Sequence, residues 1–355
     1  MSDNNTITIP VGRQVLGRVI NSRGESIDGR EPITNATRLP LAAPVLASSQ
    51  PLRMLETGIK VIDLLAPLPR GGVISMYGEA GVGKLVVLEE LMHVIITHYH
   101  GYIVALGMDE NAHELSELVD PIKELGMQNR VAMVFEKFTS SPELCLRVVQ
   151  AGLTIAGEIR SRGHEVLMVV DENLTTQGNL QGLSALTLAA QEQGITTILL
   201  RPDGEHLRRE ERPRSHHLDG RIVLSRELAR QQLWPAIDRL LSTSPLLESD
   251  IVSSEHADVV LHIRELLRRT QKLQGKQGLS SEDQQAIQRA AKIQQFFAQP
   301  FFVAEPFTEV PSEFVQVTHT VQAFKDLLEG RYDSVPEQAF HFTGTIDQVL
   351  ARSKP

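Results

Sequence analysis

The sequence predicts a doubly wound α/β domain with a mostly parallel sheet, followed by a helical C-terminal domain. Two observations predict it. Short apolar runs recur at Val73 to Tyr77, Tyr102 to Leu106, Val131 to Phe135, Glu165 to Val170, Ile195 to Leu200 and Arg221 to Ser225, with helical stretches between them. Continuous apolar runs of this length are the signature of strands buried on both faces of a parallel sheet. Beyond about residue 240 the runs stop and apolar residues recur at helical spacing instead.

Each element follows from a local pattern. After the first run, Leu88, Leu91, Met92, Ile95 and Ile96 share one helix face, giving the crossover that parallel strands require. In the C-terminal region Val259, Ile263, Leu266, Leu267 and Leu273 predict a helix that ends at the Gly-Lys-Gln-Gly break of Gly275 to Gly278. Ser280 with Asp283 three residues on is an acidic variant of the capping box, so a further helix starts there. Ile287, Ala290, Ala291 and Phe297 mark its packed face.

The chain of 355 residues is 41% hydrophobic, enough for a large core and for two or three domains. A formal net charge of -9 argues against a dedicated nucleic-acid binder, which needs a basic face. The first ten residues are polar, without the apolar core of a leader, and no apolar run approaches the roughly 20 residues that span a bilayer. A cytoplasmic protein without membrane insertion is therefore expected. Its one cysteine, Cys145, excludes an internal disulfide and reads as a small core residue on a helix. The charged, histidine-rich stretch Arg201 to Asp219 reads as a solvated loop.

Chemistry enters at Gly78-Glu79-Ala80-Gly81-Val82-Gly83-Lys84, which fits G-x-x-x-x-G-K and sits between a predicted strand and a predicted helix. Glycines let successive backbone N–H groups turn inward around phosphate oxygens. The helix N-terminus adds its positive dipole end, and Lys84 reaches the terminal phosphates. The nucleotide site is read as running from Gly78 through Leu85 and Val86. In this motif the residue after the lysine is Ser or Thr, whose hydroxyl ligates magnesium; here it is Leu85, which has no oxygen to offer. Magnesium is therefore expected to be weakly held, and hydrolysis to suffer more than binding.

Asp171 ends the run Val166 to Val170, where a carboxylate holds magnesium through water. Glu172, Asp109 and Glu110 supply further carboxylates at strand carboxyl ends, the side on which open α/β sheets bind ligands. Asp109 or Glu110 is the candidate for orienting an attacking water.

With these motifs in place, the segments Met54 to Pro67 and Gly78 to Lys84 resemble the beta subunit of F-type ATP synthases. The likeness continues through Ile9-Pro10-Val11-Gly12, Leu16-Gly17-Arg18, His217-Leu218-Asp219, Leu224-Ser225-Arg226, Trp234-Pro235-Ala236-Ile237-Asp238 and Ser254-Glu255-His256. Near the end it includes Ala291 to Gln294, Gln299-Pro300-Phe301, Val303-Ala304-Glu305 and Pro336 to Phe340. The resemblance implies a RecA-like nucleotide domain over residues 1–241 and a helical domain over 242–355, without the family's N-terminal β-barrel. It implies ATP or ADP as ligand, an adenine stacked on Trp234 where the family has a tyrosine, and Phe301, Ala304 and Phe307 nearby. An alpha-like subunit is the implied protein partner.

Several family positions are changed. The family's Gly-Glu-Arg becomes Met108-Asp109-Glu110, its Asn-Glu-Pro-Pro becomes Thr139-Ser140-Ser141-Pro142, and the arginine that follows is replaced by Cys145. The rotor-contact segment after Asp171 is mostly missing, and the acidic lever survives only as Leu279-Ser280-Ser281-Glu282-Asp283. The pattern implies a nucleotide-binding, catalytically impaired relative with a structural or regulatory role. A working ATPase subunit, and a nucleic-acid translocase resembling termination factor Rho, are the alternatives.

Overall fold

The structure is a computed structural model that describes residues 7–41, 53–109, 122–137, 141–171, 174, 188–201 and 220–353. The chain forms two compact units. One takes its residues from Met1–Leu52, Pro69–Tyr77 and Leu88–Asp219, the other from Arg53–Leu68, Gly78–Val87 and Gly220–Pro355.

The first unit is an α/β sandwich of RecA-like type. Its strands lie in the order Val73–Tyr77, Thr196–Arg201, Val166–Val170, Tyr102–Asp109, Val131–Lys137 and Val19–Ile20. The registers are parallel, with Leu199 beside Ser75, Ile198 beside Val169, Ala105 beside Val169 and Val104 beside Ala132. A jump in sequence order between neighbours is the mark of helical crossovers. Helix Pro142–Ser161 buries Val148, Ile155 and Ile159 in the same core as Val104, Leu106, Val134 and Met168. Cys145 is buried there, its Sγ 3.4 Å from Met108 Sδ. An antiparallel pair, Thr8–Val11 with Thr37–Pro40, sets Ile9 beside Leu39.

Strand extents differ modestly from the sequence reading. The last predicted strand spans Gly220–Val223 and stops short of Ser225, because the Ser225 hydroxyl caps helix Arg226–Arg230 by accepting from Leu228 N at 3.4 Å. Helix Lys84–Thr97 buries Val87, Leu88, Leu91, Met92, Val94 and Ile95, while Ile96 is only half-buried. The buried arc is centred near Leu91, which leaves Ile96 on its rim and draws in Val94.

The second unit contains helices Lys60–Leu65, Ser254–Leu273, Ser281–Phe297, Val317–Leu328 and Ile346–Arg352. Its aromatic core joins Phe297 and Phe324, stacked with centroids 4.3 Å apart, to Phe296 and Phe340, edge-to-face at 6.1 Å. Around this cluster the helix faces shift from the predicted ones. Val260 is buried while Leu266 and Leu273 are half-buried; Ala286, Ile293 and Phe296 are buried while Ile287 and Ala291 are half-buried. The Ser280 hydroxyl accepts from Asp283 N at 3.1 Å and donates to Asp283 Oδ2 at 2.9 Å. The box therefore closes on the hydroxyl, and Arg269 Nη2 takes the other carboxylate oxygen at 2.8 Å.

Among the described residues of this unit the ionisable side chains of Asp63 and Lys60 are completely buried. Asp63 accepts from Thr57 N at 2.8 Å, Thr57 Oγ1 at 2.8 Å and Gly58 N at 2.8 Å, yet burial still pushes its carboxyl up to about 7. Lys60 donates from Nζ to the Thr343 carbonyl at 2.6 Å. Among the described residues no helix is long and apolar enough to cross a membrane.

Candidate nucleotide site

Strand Val73–Tyr77 is buried at all five positions, and helix Lys84–Thr97 begins seven residues after it ends, at the lysine of the glycine-rich motif. Between them Gly81 and Gly83 take φ of 79° and 82°, a region that L side chains rarely enter. The two left-handed residues lie just before a helix start, and a glycine-rich turn at a helix N-terminus is a setting that favours phosphate oxygens. Val82 is buried beneath the loop, whereas Ala80 and Gly81 are exposed. Glu79 makes an ion pair with Arg226, tying the loop to the N-terminus of helix Arg226–Arg230.

An apolar pocket of about 420 Å³ opens beside this loop. Gly81, Gly83, Val86 and Val87 form its phosphate-loop side, and Trp234, Phe301, Ala304 and Phe342 supply the rest of its main walls. A volume of a few hundred Å³ with mostly apolar walls suits a small aromatic ligand group. Gln299 also faces it, but its amide is engaged with backbone: Nε2 donates to Gly58 O at 2.8 Å, and Oε1 accepts from Lys60 N at 2.9 Å. Its own N–H donates to Trp234 O at 3.0 Å, joining the two pocket-lining segments through their backbones.

The structure thus brings together Gly81, Gly83, Val86, Trp234, Phe301 and Ala304. Leu85 is half-buried on the first helical turn and does not line the pocket. Phe307, read as part of the adenine pocket, is 82% exposed on the short helix Glu305–Thr308 and lies outside the lining; Thr308, one residue on, lines it instead. Phe342 was not singled out in the sequence. The resembling segment Pro336 to Phe340 ends two residues before it, which is the nearest signal.

The carboxylates belong to the first unit. Asp171 follows strand Val166–Val170, its N–H donating to Leu106 O at 2.9 Å. Asp109 is the last residue of strand Tyr102–Asp109, with Lys137 as its backbone neighbour across the ladder. Glu110, Thr139, Ser140, Glu172, Asn173 and most of the stretch from Arg201 to Asp219 lie outside the described residues. Among the described residues no group of three or more His, Cys, Asp or Glu is placed to hold a metal ion.

A strand, a glycine-rich turn with two left-handed residues, a helix starting at lysine and the order of the parallel strands together describe a nucleotide-binding α/β core. Residues 58–196 match the ATP synthase alpha/beta family, nucleotide-binding domain. The matched segment contains the whole motif at residues 78–84, both carboxylate-bearing strand ends and four of the six parallel strands in full, Val73–Tyr77, Tyr102–Asp109, Val131–Lys137 and Val166–Val170. It supports an F1/V1-type ATPase-like relationship for that domain. Trp234, Phe301 and Phe342 lie beyond it, so the apolar pocket extends the matched domain with residues from the C-terminal part of the chain.

Proposed function

We propose that this protein binds ATP or ADP, with the phosphates cradled by residues 78–84 and the base in the apolar pocket, and that it hydrolyses ATP poorly if at all. The observation that carries this reading is the pocket itself, which joins Gly81 and Gly83 of the phosphate loop to the rings of Trp234 and Phe301. A phosphate cradle opening directly onto an aromatic-walled pocket is the arrangement a nucleoside polyphosphate needs. The donor set fits the nucleotide but does not fit tightly held magnesium. Leu85 stands where the motif's hydroxyl ligand belongs, and its methyl groups cannot coordinate a metal that demands oxygen. Asp171 remains the candidate for contacting the metal through water.

On this reading the chain is a beta-like relative that serves a structural or regulatory role in the cytoplasm, with an alpha-like chain as one candidate partner. Residues 1–241 are its nucleotide domain, and 242–355 contribute Phe301 and the helices. Such a role needs binding without torque, so the protein is expected as a monomer or small oligomer. Calorimetric titration with ATP and ADP, with and without magnesium, tests the central claim. Saturable binding with modest metal dependence supports it; no nucleotide binding overturns it. A stable six-membered ring with an alpha-like partner, found by mass measurement with nucleotide present, would reject the non-rotary role.

A further inference from the structure

We propose that Phe342 is a nucleobase-binding residue, held in the pocket by a hydrogen-bonded strap that Lys60 and Arg352 fasten. The inference rests on the nucleotide reading above and names a further residue of that same site. Phe342 lines the pocket and is half-buried, so part of its ring faces open space rather than core. Its backbone has φ of 49°, a left-handed conformation in which its Cβ crowds the following carbonyl. Among the described non-glycine residues with positive φ, it alone lines the pocket.

The surrounding backbone is pinned at successive positions. Arg352 donates from Nη1 to His341 O at 2.6 Å and from Nη2 to Phe342 O at 3.0 Å. Lys60 donates to Thr343 O at 2.6 Å, while its Nζ lies 3.7 Å from the centre of the Phe296 ring. The Thr343 hydroxyl donates to Phe340 O at 2.9 Å, and Gln348 Oε1 accepts from Gly344 N at 2.8 Å. A bulky residue persists in a disfavoured conformation only where its surroundings over-determine it, and such outliers cluster at ligand clamps. Here five hydrogen bonds fix the backbone, and what they present is an aromatic ring to an apolar pocket that already holds Trp234. Stacking on aromatic faces is how proteins hold a base without reading its edge.

The test is titration of the full-length chain with ADP and, separately, with inorganic pyrophosphate, which shares the phosphate cradle but carries no base. Phe342→Ala should lose about tenfold or more in ADP affinity, the scale of one base–aromatic stack, with pyrophosphate affinity unchanged. Arg352 is exposed, and Arg352→Ala leaves the core intact. It should weaken ADP about threefold, the scale of a lost hydrogen bond or two, again sparing pyrophosphate. Native-like ADP affinity in Phe342→Ala overturns the inference while leaving the nucleotide reading standing. Equal losses for ADP and pyrophosphate also overturn it, because they mark a merely structural residue. Unchanged ADP affinity in Arg352→Ala removes the strap from it. A native chain that binds neither probe would sink the nucleotide reading and this inference together.

Discussion

The indole of Trp234 rests against Gly83: a Cβ built on Gly83 would lie 2.9 Å from Cζ3 of the ring. Gly83 also has φ of 82°, so it faces two independent demands, a left-handed backbone and a missing side chain. Gly83→Ala should cost about 1–3 kcal/mol in stability and push the indole out of register with the phosphate loop, weakening nucleotide binding. Chemical denaturation and calorimetry on the same variant check both effects; an alanine that leaves stability and affinity unchanged would contradict the packing described.

Trp234 is the single tryptophan of the chain and lines the pocket. Nucleotide binding should therefore alter the intrinsic fluorescence saturably, with pyrophosphate producing a smaller change than ADP. Saturable binding seen by calorimetry while the emission stays silent would place the base elsewhere.

Lys84 opens the helix at the end of the phosphate loop, and Leu85 follows it. Lys84→Ala should reduce ATP affinity about tenfold or more, the scale of a lost charge-assisted contact. Leu85→Thr restores a hydroxyl at the metal position and should make binding more magnesium-dependent while restoring little turnover, since Asp109 also departs from the resembling family's glutamate. Preorganised electrostatic elements are each worth on the order of 100-fold in rate. Steady-state hydrolysis by the native protein near about 1 per second, an ordinary enzyme rate, would overturn the impaired-catalysis reading.

Glu89 lies on helix Lys84–Thr97, where burial first and the neighbouring charge of Glu124 second push its carboxyl up to about 7. A folded-state value above the unfolded 4.5 means that its contribution to stability is complete below pH 4.5 and is lost as the pH rises through 7. Glu89→Gln should therefore be more stable than the native chain above pH 7, by about 1 kcal/mol after allowing for its partial exposure. Below pH 4.5 the difference should vanish. Melting temperatures measured across pH 4 to 8, about the span of these two values, provide the check, and a constant offset between the two proteins would rule out this titration.

How much of the site was legible depended on how local its signal is. The phosphate loop was readable because strand, turn and helix are contiguous, and each leaves a pattern within about seven residues. Trp234, Phe301 and Ala304 were assigned to the pocket only through resemblance, because an aromatic residue carries no mark that separates a pocket wall from a core. Phe307, assigned by the same route, is 82% exposed and does not line the pocket.

By itself the sequence determined the buried parallel strands, the crossover helix, the glycine-rich motif between strand and helix and the leucine that follows its lysine, since all of these follow from residue type at short spacing. Only the tertiary structure decided which ring faces the pocket. Phe342 lines the pocket next to a backbone carbonyl, that of Thr343, which Lys60 meets from 283 residues away in sequence, and Gln299 bonds Gly58, 241 residues before it, as well as the nearer backbone of Trp234. Periodicity encodes a face within one element. It carries no information about which distant carbonyl a buried lysine will meet, because a buried donor takes the partner that the packed chain brings within reach.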